Sequence, residues 1–150
     1  MWLALWIFLG LALATVLAVA IVLATQVEDW SRDLSTNVAA TSDEARDPRL
    51  RTLDSPLPPA ELADAVAQAA GQLPRWELVE RTEDDRQVRL HFVRTTGILR
   101  FKDDIRVRIE PAARGSRLSA ESRSRVGKGD LGQNPRNLRE LLDKLRDAAA

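Results

Sequence analysis

An uncharged N-terminal segment constrains the fold of this chain more than any other feature. Residues 2–25 carry no charged side chain. As an α-helix that rises about 1.5 Å per residue they extend about 36 Å, enough to cross a hydrocarbon core of about 30 Å. Trp2 and Trp6 lie at one end and Trp30 follows the other, where indole rings favour the membrane interface. The sequence therefore predicts a transmembrane helix over residues 1–26.

A cleaved signal peptide is the alternative interpretation of the same segment. The tripeptide at residues 18–20, Ala-Val-Ala, fits the small-x-small cleavage pattern. A signal peptide also has a basic segment before an apolar stretch of about 7 to 15 residues, and this apolar run is longer and has no basic side chain before it. These differences favour a retained anchor, and the size of the mature protein distinguishes the two.

The membrane orientation and a possible dimer contact are predicted from the same region. Acidic residues outnumber Arg32 directly after the segment, so the positive-inside rule favours a C-terminal domain outside the cytoplasm, in a bacterial inner membrane. Gly10, Ala14 and Ala18 recur every four residues, a pattern that lets two helices pack closely as a homo-dimer. The high alanine content of the segment explains this spacing equally well.

The composition of the remaining residues, enough for one ordinary domain, excludes several classes of function. The chain has no cysteine, which excludes disulfides, zinc-thiolate sites and a cysteine nucleophile. His91 is the only histidine, so neither a histidine metal cluster nor a Ser-His-Asp array with a spare base is expected. We predict no catalytic residues, no metal and no cofactor, and we favour a protein that is not an enzyme.

The region after the anchor divides into a linker and a domain. Nine acidic residues and four arginines give residues 26–64 a net charge of −5. Residues 27–47 show no hydrophobic periodicity and are interpreted as a juxtamembrane linker, with the domain at residues 48–150 and a short first strand at residues 50–53.

Two helices are predicted within the domain. The first follows the prolines at residues 56–59 and ends before Pro74, because apolar residues recur at helical spacing: Leu62, Val66, Ala69, Ala70 and Leu73. The second is predicted to begin with Asn134 as N-cap and Pro135 at its first position. Its apolar stripe consists of Leu138, Leu141, Leu142 and Leu145.

Between the helices, four stretches alternate apolar and polar residues with a period of two. Their inward-facing residues are predicted to be Trp76 and Leu78, Val88 to Phe92, Ile105 to Ile109, and Leu118 and Ala120, at alternate positions. Short polar connections at residues 83–85 and 112–115 indicate hairpins, and residues 94–100 form a longer link. The predicted fold is α+β: a two-layer domain with a four- to five-stranded antiparallel meander, two helices on one face, and the order β-α-β-β-β-β-α.

Two strings of residues resemble a known family signature. They are FKDDIRVR at residues 101–108 and SRSRVGKGDLGQN at residues 122–134. On these strings the chain resembles the family called domain of unknown function 1499, over residues 34–145. The resemblance implies bacterial and plastid proteins, often with an N-terminal membrane anchor, and it implies no particular activity, cofactor or substrate.

The glycine-punctuated loop before the last helix is a candidate anion site. Lys128 lies within it, and the free N–H groups of a following helix end favour a phosphate or a lipid headgroup. Tight turning before Asn134 explains its glycines equally well. Asp130 is interpreted as a turn residue or as an ion-pair partner of Arg125. Asp103 and Asp104, as successive strand residues, are expected to point to opposite faces and not to form an acid-base pair.

A second candidate surface is the sheet face opposite the apolar stripe. Its predicted basic residues are Arg89, His91, Arg106, Arg108, Arg123 and Arg125. Such a patch suits anionic lipid or nucleic acid, but Glu77, Glu110 and Glu121 fall on the same face and suit cross-strand ion pairs, so a solvated face is favoured and no nucleic acid is expected.

These observations lead to one functional prediction and one alternative. The prediction is a non-catalytic, membrane-tethered module that binds a protein partner or an amphipathic or anionic ligand near the bilayer. The alternative is an enzyme or anion-binding site of unfamiliar type at the glycine-rich loop. The candidate binding residues are Asp104, Arg106, Arg125, Lys128, Asp130 and Asn134.

Overall fold

The structure is a computed structural model that describes residues 2–26, 35–97 and 99–149. Helix α1 (Trp2–Gln26) is continuous. Its Trp2–Ile21 portion has a mean hydropathy of 2.6 and no buried residue. The helix is therefore long and apolar enough to cross a membrane, a property that N-terminal signal sequences share. Trp30 and the charged residues used to predict orientation lie outside the described residues.

The domain after α1 is built on one antiparallel sheet of six strands. The strands are β1 (Val38–Ala40), β2 (Leu53–Ser55), β3 (Trp76–Asp84), β4 (Gln87–Thr95), β5 (Lys102–Ala112) and β6 (Gly115–Ser124). They are arranged in the order β1-β6-β5-β4-β3, and β2 pairs with β6 beyond the end of β1. Strands β3 to β6 form the predicted meander, which is confirmed.

Two helices cover one face of this sheet, as the sequence predicts. Helix α2 (Pro59–Gly71) begins at a proline, whose fixed φ suits a first helical position, and helix α3 is Gln133–Ala149. The core lies between these helices and the sheet. Its largest fully buried side chains include Phe92, Ile105, Leu118, Leu62 and the α3 residues Leu138, Leu141 and Leu142. The predicted stripe of α3 is therefore its buried face.

Two local predictions differ from the structure. Val38–Ala40, within the predicted linker, is strand β1 and pairs with β6. The predicted strand at residues 50–53 is instead a 3₁₀ helix, Pro48–Leu50, followed by β2 from Leu53. Asp47 accepts a hydrogen bond from the Arg49 N–H at the start of this 3₁₀ helix, which explains why the chain turns there.

Strand β3 also departs from simple alternation. Its register against β4 shifts between Leu78 and Glu80, which are paired with Phe92 and His91 respectively. An extra residue in one strand reverses the side-chain phase that follows it. Trp76 and Leu78 precede this shift and lie on the same face of β3, and it is Glu80 and the residues after it that change phase. Trp76 packs against the core, whereas Leu78 is 44% exposed on a solvent-exposed edge strand.

Candidate functional site

Adjacent residues of β5 divide the polar side chains of this domain between the two faces of the sheet. Asp103 points toward the helices and is 1% exposed, whereas Asp104 points to the uncovered face, which we call the open face. The prediction that these carboxylates do not form a pair is confirmed. Each belongs to a separate hydrogen-bonded cluster.

Asp103 lies at the centre of a buried polar network. Its Oδ1 accepts a hydrogen bond from the Ser124 hydroxyl at 2.7 Å, and its Oδ2 accepts one from the Asn137 amide at 3.0 Å. The same Asn137 amide donates to the Ser122 hydroxyl oxygen at 3.0 Å. Side chains from β5, β6 and α3 are thereby joined where α3 meets the sheet, which compensates for burying these polar groups.

Asn134 extends this network to the beginning of the domain. Its carbonyl oxygen accepts a hydrogen bond from Ser122 at 2.6 Å, and its amide donates to the Asn37 carbonyl oxygen at 2.8 Å. Asn134 is fully buried. The prediction that it is the N-cap of the last helix is wrong, because α3 begins at Gln133 and the Asn134 side chain faces the sheet.

The helix start is stabilised instead by Asp130. Its carboxylate accepts hydrogen bonds from the backbone N–H of Gly132 at 2.9 Å and of Asn134 at 2.8 Å. It also accepts a hydrogen bond from the Asn134 amide. Of the two predicted roles for Asp130, the turn residue agrees with this geometry. Arg125 has a different carboxylate partner.

Arg94 completes the buried side of the cluster. Its guanidinium donates to the Asn137 side-chain oxygen and lies 3.6 Å from the Glu140 carboxylate, and the residue is 9% exposed. Its Nε is buried and has no hydrogen-bond partner among the described residues. A buried arginine between two polar side chains of α3 fixes that helix against β4.

A second cluster on the open face is centred on Asp104. Arg125 donates to both carboxylate oxygens, from Nε to Oδ2 at 2.8 Å and from Nη2 to Oδ1 at 2.7 Å. His91 Nε2 also lies 2.7 Å from Oδ1. The hydrogen bonds from Arg125, followed by that from His91, outweigh partial burial and lower the pKa of Asp104 to about 2. Asp104 is therefore an anion throughout the neutral range and is poorly suited to act as a base.

Next to this cluster the open face forms a concave depression of about 880 Å³. Arg89, Arg106 and Arg108 line it together with His91, and Glu80 and Glu121 lie at the same surface. Arg89 of β4 is directly opposite Arg108 of β5, and His91 is directly opposite Arg106. The depression thus places basic side chains opposite basic side chains on neighbouring strands.

The residues predicted to bind a ligand fall into two groups. Asp104, Arg106 and Arg125 lie on the open face. Asp130 belongs to the turn before α3, and Asn134 belongs to the buried network. Lys128 is exposed in the loop that precedes Asp130. The structure therefore does not bring the six together, and ligand binding by any of them stays a prediction.

Sequence reasoning missed the buried network, although a signal for it was present. Asp103 has the same strand phase as Ile105, and Ser122 and Ser124 have the same phase as Leu118 and Ala120. Polar residues at inward-facing positions indicate a buried polar cluster. Asn137 lies four residues before Leu141 and so on the buried face of α3, where the same reasoning locates a partner for these residues. Among residues 2–26, 35–97 and 99–149, no group of three carboxylate, histidine or cysteine side chains has the geometry to hold a metal ion.

Comparison with known proteins gives one result. A family model described as "Protein of unknown function (DUF1499)" matches residues 29–145, more than three quarters of the chain. The match covers β1 to β6, α2 and most of α3. The resemblance predicted over residues 34–145 is confirmed. Neither a search of curated proteins nor a search of solved structures finds a match.

Proposed function

The chain belongs to the DUF1499 family of proteins of unknown function, and from this premise we propose that it is a membrane-tethered, non-catalytic module that binds an anionic ligand on its open face. One observation carries the proposal. Arg89 and Arg108 are directly opposed on neighbouring strands, at the surface of a depression of about 880 Å³. A volume of this size suits a small amphipathic molecule.

The unfavourable placement of these charges supports an anionic ligand. Like charges directly opposite each other in an antiparallel pair destabilise the sheet. Within the described parts of the chain, no carboxylate oxygen lies within 4 Å of the guanidinium groups of Arg106 or Arg108, and Arg89 has only a 3.4 Å contact with Asp84 at the end of β3. A bound phosphate, sulfate or carboxylate group would relieve the repulsion and accept paired hydrogen bonds from the arginines.

The glutamates at the depression only partly offset this positive charge. Glu121 has its nearest cationic partner in Arg123, at 3.6 Å, rather than in Arg106, which is directly opposite it across β5 and β6. The cross-strand pairs expected of a solvated face occur around Asp104, whose partners are His91 and Arg125, and not at Arg106. The observed arrangement favours the ligand interpretation more than the sequence alone does.

The state of the titratable groups supports a non-catalytic role. His91, the only histidine of the chain, is hydrogen-bonded to Asp104, and Arg125 holds that carboxylate in its charged form. General acid-base catalysis needs a group whose pKa lies near the working pH, and the pKa of Asp104, about 2, is far below it. Asp104 itself is therefore not suited to transfer protons.

The alternative site at the glycine-rich loop has less support. Arg125 is paired with Asp104, and the Asp130 carboxylate is occupied by the N–H groups of Gly132 and Asn134. Lys128 is the one cationic side chain of the loop without an ion-pair partner among the described residues. Within the loop itself an anion would meet one unpaired flexible cation, whereas the depression offers several arginines.

The membrane tether formed by α1 determines where the domain binds this ligand. We propose that α1 remains attached and spans a bacterial inner membrane once, with the domain outside the cytoplasm, so that the ligand is an anionic amphipath or the acidic surface of a protein partner at the bilayer. The apolar length of α1 supports the span. Pairing of two α1 helices through Gly10, Ala14 and Ala18 stays a prediction that crosslinking in the bilayer tests.

Binding of a defined amphipath to the full chain tests the proposal. Dodecyl phosphate below its micellar concentration is titrated into the chain held in lipid nanodiscs, with dodecylphosphocholine as the zwitterionic control. We expect Arg108→Gln and Arg106→Gln each to weaken dodecyl phosphate binding by about tenfold, the effect of losing one charge-assisted hydrogen bond. Arg114→Gln, in the exposed β5–β6 turn, is the matched control and should bind as the parent does. Unchanged binding in both depression variants would show that the open face is not the site.

A further inference from the structure

Three connections and the start of the domain meet at one end of the sheet, which we call the loop end. The connections are residues 72–75 before β3, residues 96–97 and 99–101 between β4 and β5, and residues 125–132 between β6 and α3. Residues 35–37 lead into β1 at the same end, because Val38 pairs with Arg123 near the end of β6. The opposite end carries the tight β3–β4 and β5–β6 turns.

Apolar side chains are exposed on the loop end. Leu99 is 68% exposed and Val126 is 59% exposed, which makes them the most exposed large apolar residues described outside α1. Phe101, 44% exposed, lies beside Leu99 in the β4–β5 connection. The two connections are adjacent, because the Arg125 N–H donates to the Lys102 carbonyl oxygen at 3.0 Å. These exposed apolar side chains therefore lie in adjacent connections at the loop end.

Basic side chains flank this surface. Arg100, Lys102 and Lys128 are exposed, and the described residues place no carboxylate within 4 Å of their charged groups. Arg75 and Arg100 also line a depression of about 300 Å³ beside Trp76. Apolar tips surrounded by basic residues are typical of surfaces that contact an anionic bilayer.

The point at which α1 joins the domain indicates that the bilayer is what contacts the loop end. Helix α1 ends at Gln26, and the described chain resumes at Ser35, at the loop end. The chain between them spans at most about 30 Å when fully extended. Asn37 is fixed there, because its amide donates to the Gly127 carbonyl oxygen at 2.9 Å and its carbonyl accepts from Asn134 at 2.8 Å. The end that bears the exposed apolar residues is thus the end nearest the anchor along the chain.

We infer that the loop end rests on the bilayer that holds α1, with Leu99, Phe101 and Val126 among the lipids. Arg100, Lys102 and Lys128 then contact anionic headgroups. This inference rests on the membrane tether of the proposed function and not on anion binding by the open face. It also orients the molecule, because the strands then run away from the membrane and the open face is turned sideways rather than toward the bilayer.

Depth measurements on the full chain test this contact. The chain has no cysteine, so a single cysteine gives one labelling position. Leu99→Cys and Val126→Cys are labelled with a polarity-sensitive fluorophore and reconstituted in vesicles containing lipids with brominated acyl chains, with phosphatidylglycerol present or absent. We expect bromine to quench both labels at least about twofold more strongly than a label at Leu57→Cys, the matched control near the opposite end.

A separate comparison tests how the basic side chains contribute to membrane contact. Neutralising Arg100, Lys102 and Lys128 to glutamine should reduce quenching at Val126→Cys in phosphatidylglycerol vesicles to the level seen in phosphatidylcholine alone. Glutamine at Arg86 and Arg114, in the far turns, should not. Equal quenching at both ends in vesicles that retain the protein would overturn the inference while leaving open-face binding unaffected. Failure of the chain to float with the vesicles would overturn the tether and this inference together.

Discussion

Arg89 of β4 and Arg108 of β5 are directly opposite each other on the face of the sheet that no helix covers. Cross-strand neighbours on one face lie close enough for their side chains to interact, and opposed like charges are unfavourable. The adjacent pair on the same strands, His91 and Arg106, adds another basic group opposite a basic residue. The helix-covered face of the same strands has Leu90 opposite Val107 and contributes the core. One face therefore stabilises the fold, while the other places arginines directly opposite each other.

The first prediction follows from this opposition. Arg108→Gln should raise the free energy of unfolding of the ligand-free chain at low ionic strength, by a few tenths to about 1 kcal/mol, because it removes the repulsion from Arg89. Thermal melts of the detergent-solubilised chain, followed by circular dichroism, measure the change. The gain should decrease in high salt, which screens exposed charges. Arg114→Gln should melt as the parent does, and a less stable Arg108→Gln protein would show that the arginine is locally compensated.

The second prediction concerns the buried network. Asp103→Ala should lower the free energy of unfolding by about 3 kcal/mol, because the Ser124 hydroxyl and the Asn137 amide are left buried without their acceptor. Urea unfolding of the full chain in detergent measures the loss. Asp85→Ala, in the exposed β3–β4 turn, is the control for removing a carboxylate and should change stability by less than about 0.5 kcal/mol. Equal stability of the two variants would contradict a structural role for Asp103.

Most of the architecture could be predicted from the sequence, because the apolar periods are regular where the core is. Phe92, Ile105 and Leu118 alternate in the strands, and Leu138 and Leu142 recur at helical spacing in α3, so the meander and its helix layer follow from burial. Strand β1 could not be predicted in this way. It has three residues and is held by pairing with β6, a long-range contact without a periodic signal.

The polar sites were harder to predict for a related reason. The open face was anticipated by strand phase, but direct opposition of Arg89 and Arg108 depends on the register of β4 against β5, which the turn geometry sets. The position of Asn134 before Pro135 predicts a helix cap. Its contacts with Ser122 and Asn37 depend on chain segments far away in sequence.

The third prediction uses the lowered pKa of Asp104. Because this pKa is about 2 in the folded chain and 3.8 for an unperturbed aspartate, ionised Asp104 stabilises the fold above about pH 4. The contribution, up to about 2 kcal/mol, is lost as the pH falls from about 4 toward 2. Chemical unfolding of the parent and of Asp104→Asn across this range should show a stability difference that decreases as the pH is lowered. Asp85→Asn serves as the control, and a difference independent of pH would contradict the prediction.

The fourth prediction compares two glycine-to-alanine substitutions. Gly115, at the start of β6, has a φ of +94°, and a Cβ there would lie 2.1 Å from the Ser55 carbonyl oxygen and 2.6 Å from the Pro56 carbonyl carbon. Gly115→Ala must therefore displace the backbone where β2 approaches β6, and left-handed φ adds strain. We expect it to lower the free energy of unfolding by more than about 3 kcal/mol.

Gly71, the last residue of α2, is the matched control for this substitution. A Cβ at Gly71 meets no atom within 4 Å, and its φ is not in the left-handed region. Alanine favours the helix by up to about 1 kcal/mol over glycine, so Gly71→Ala should leave stability unchanged or raise it. Urea unfolding of both variants in the same detergent measures the contrast. Similar stabilities would mean that β2 is not packed against the β5–β6 turn, and that the contact between Ser55 and Gly115 does not hold this edge of the sheet.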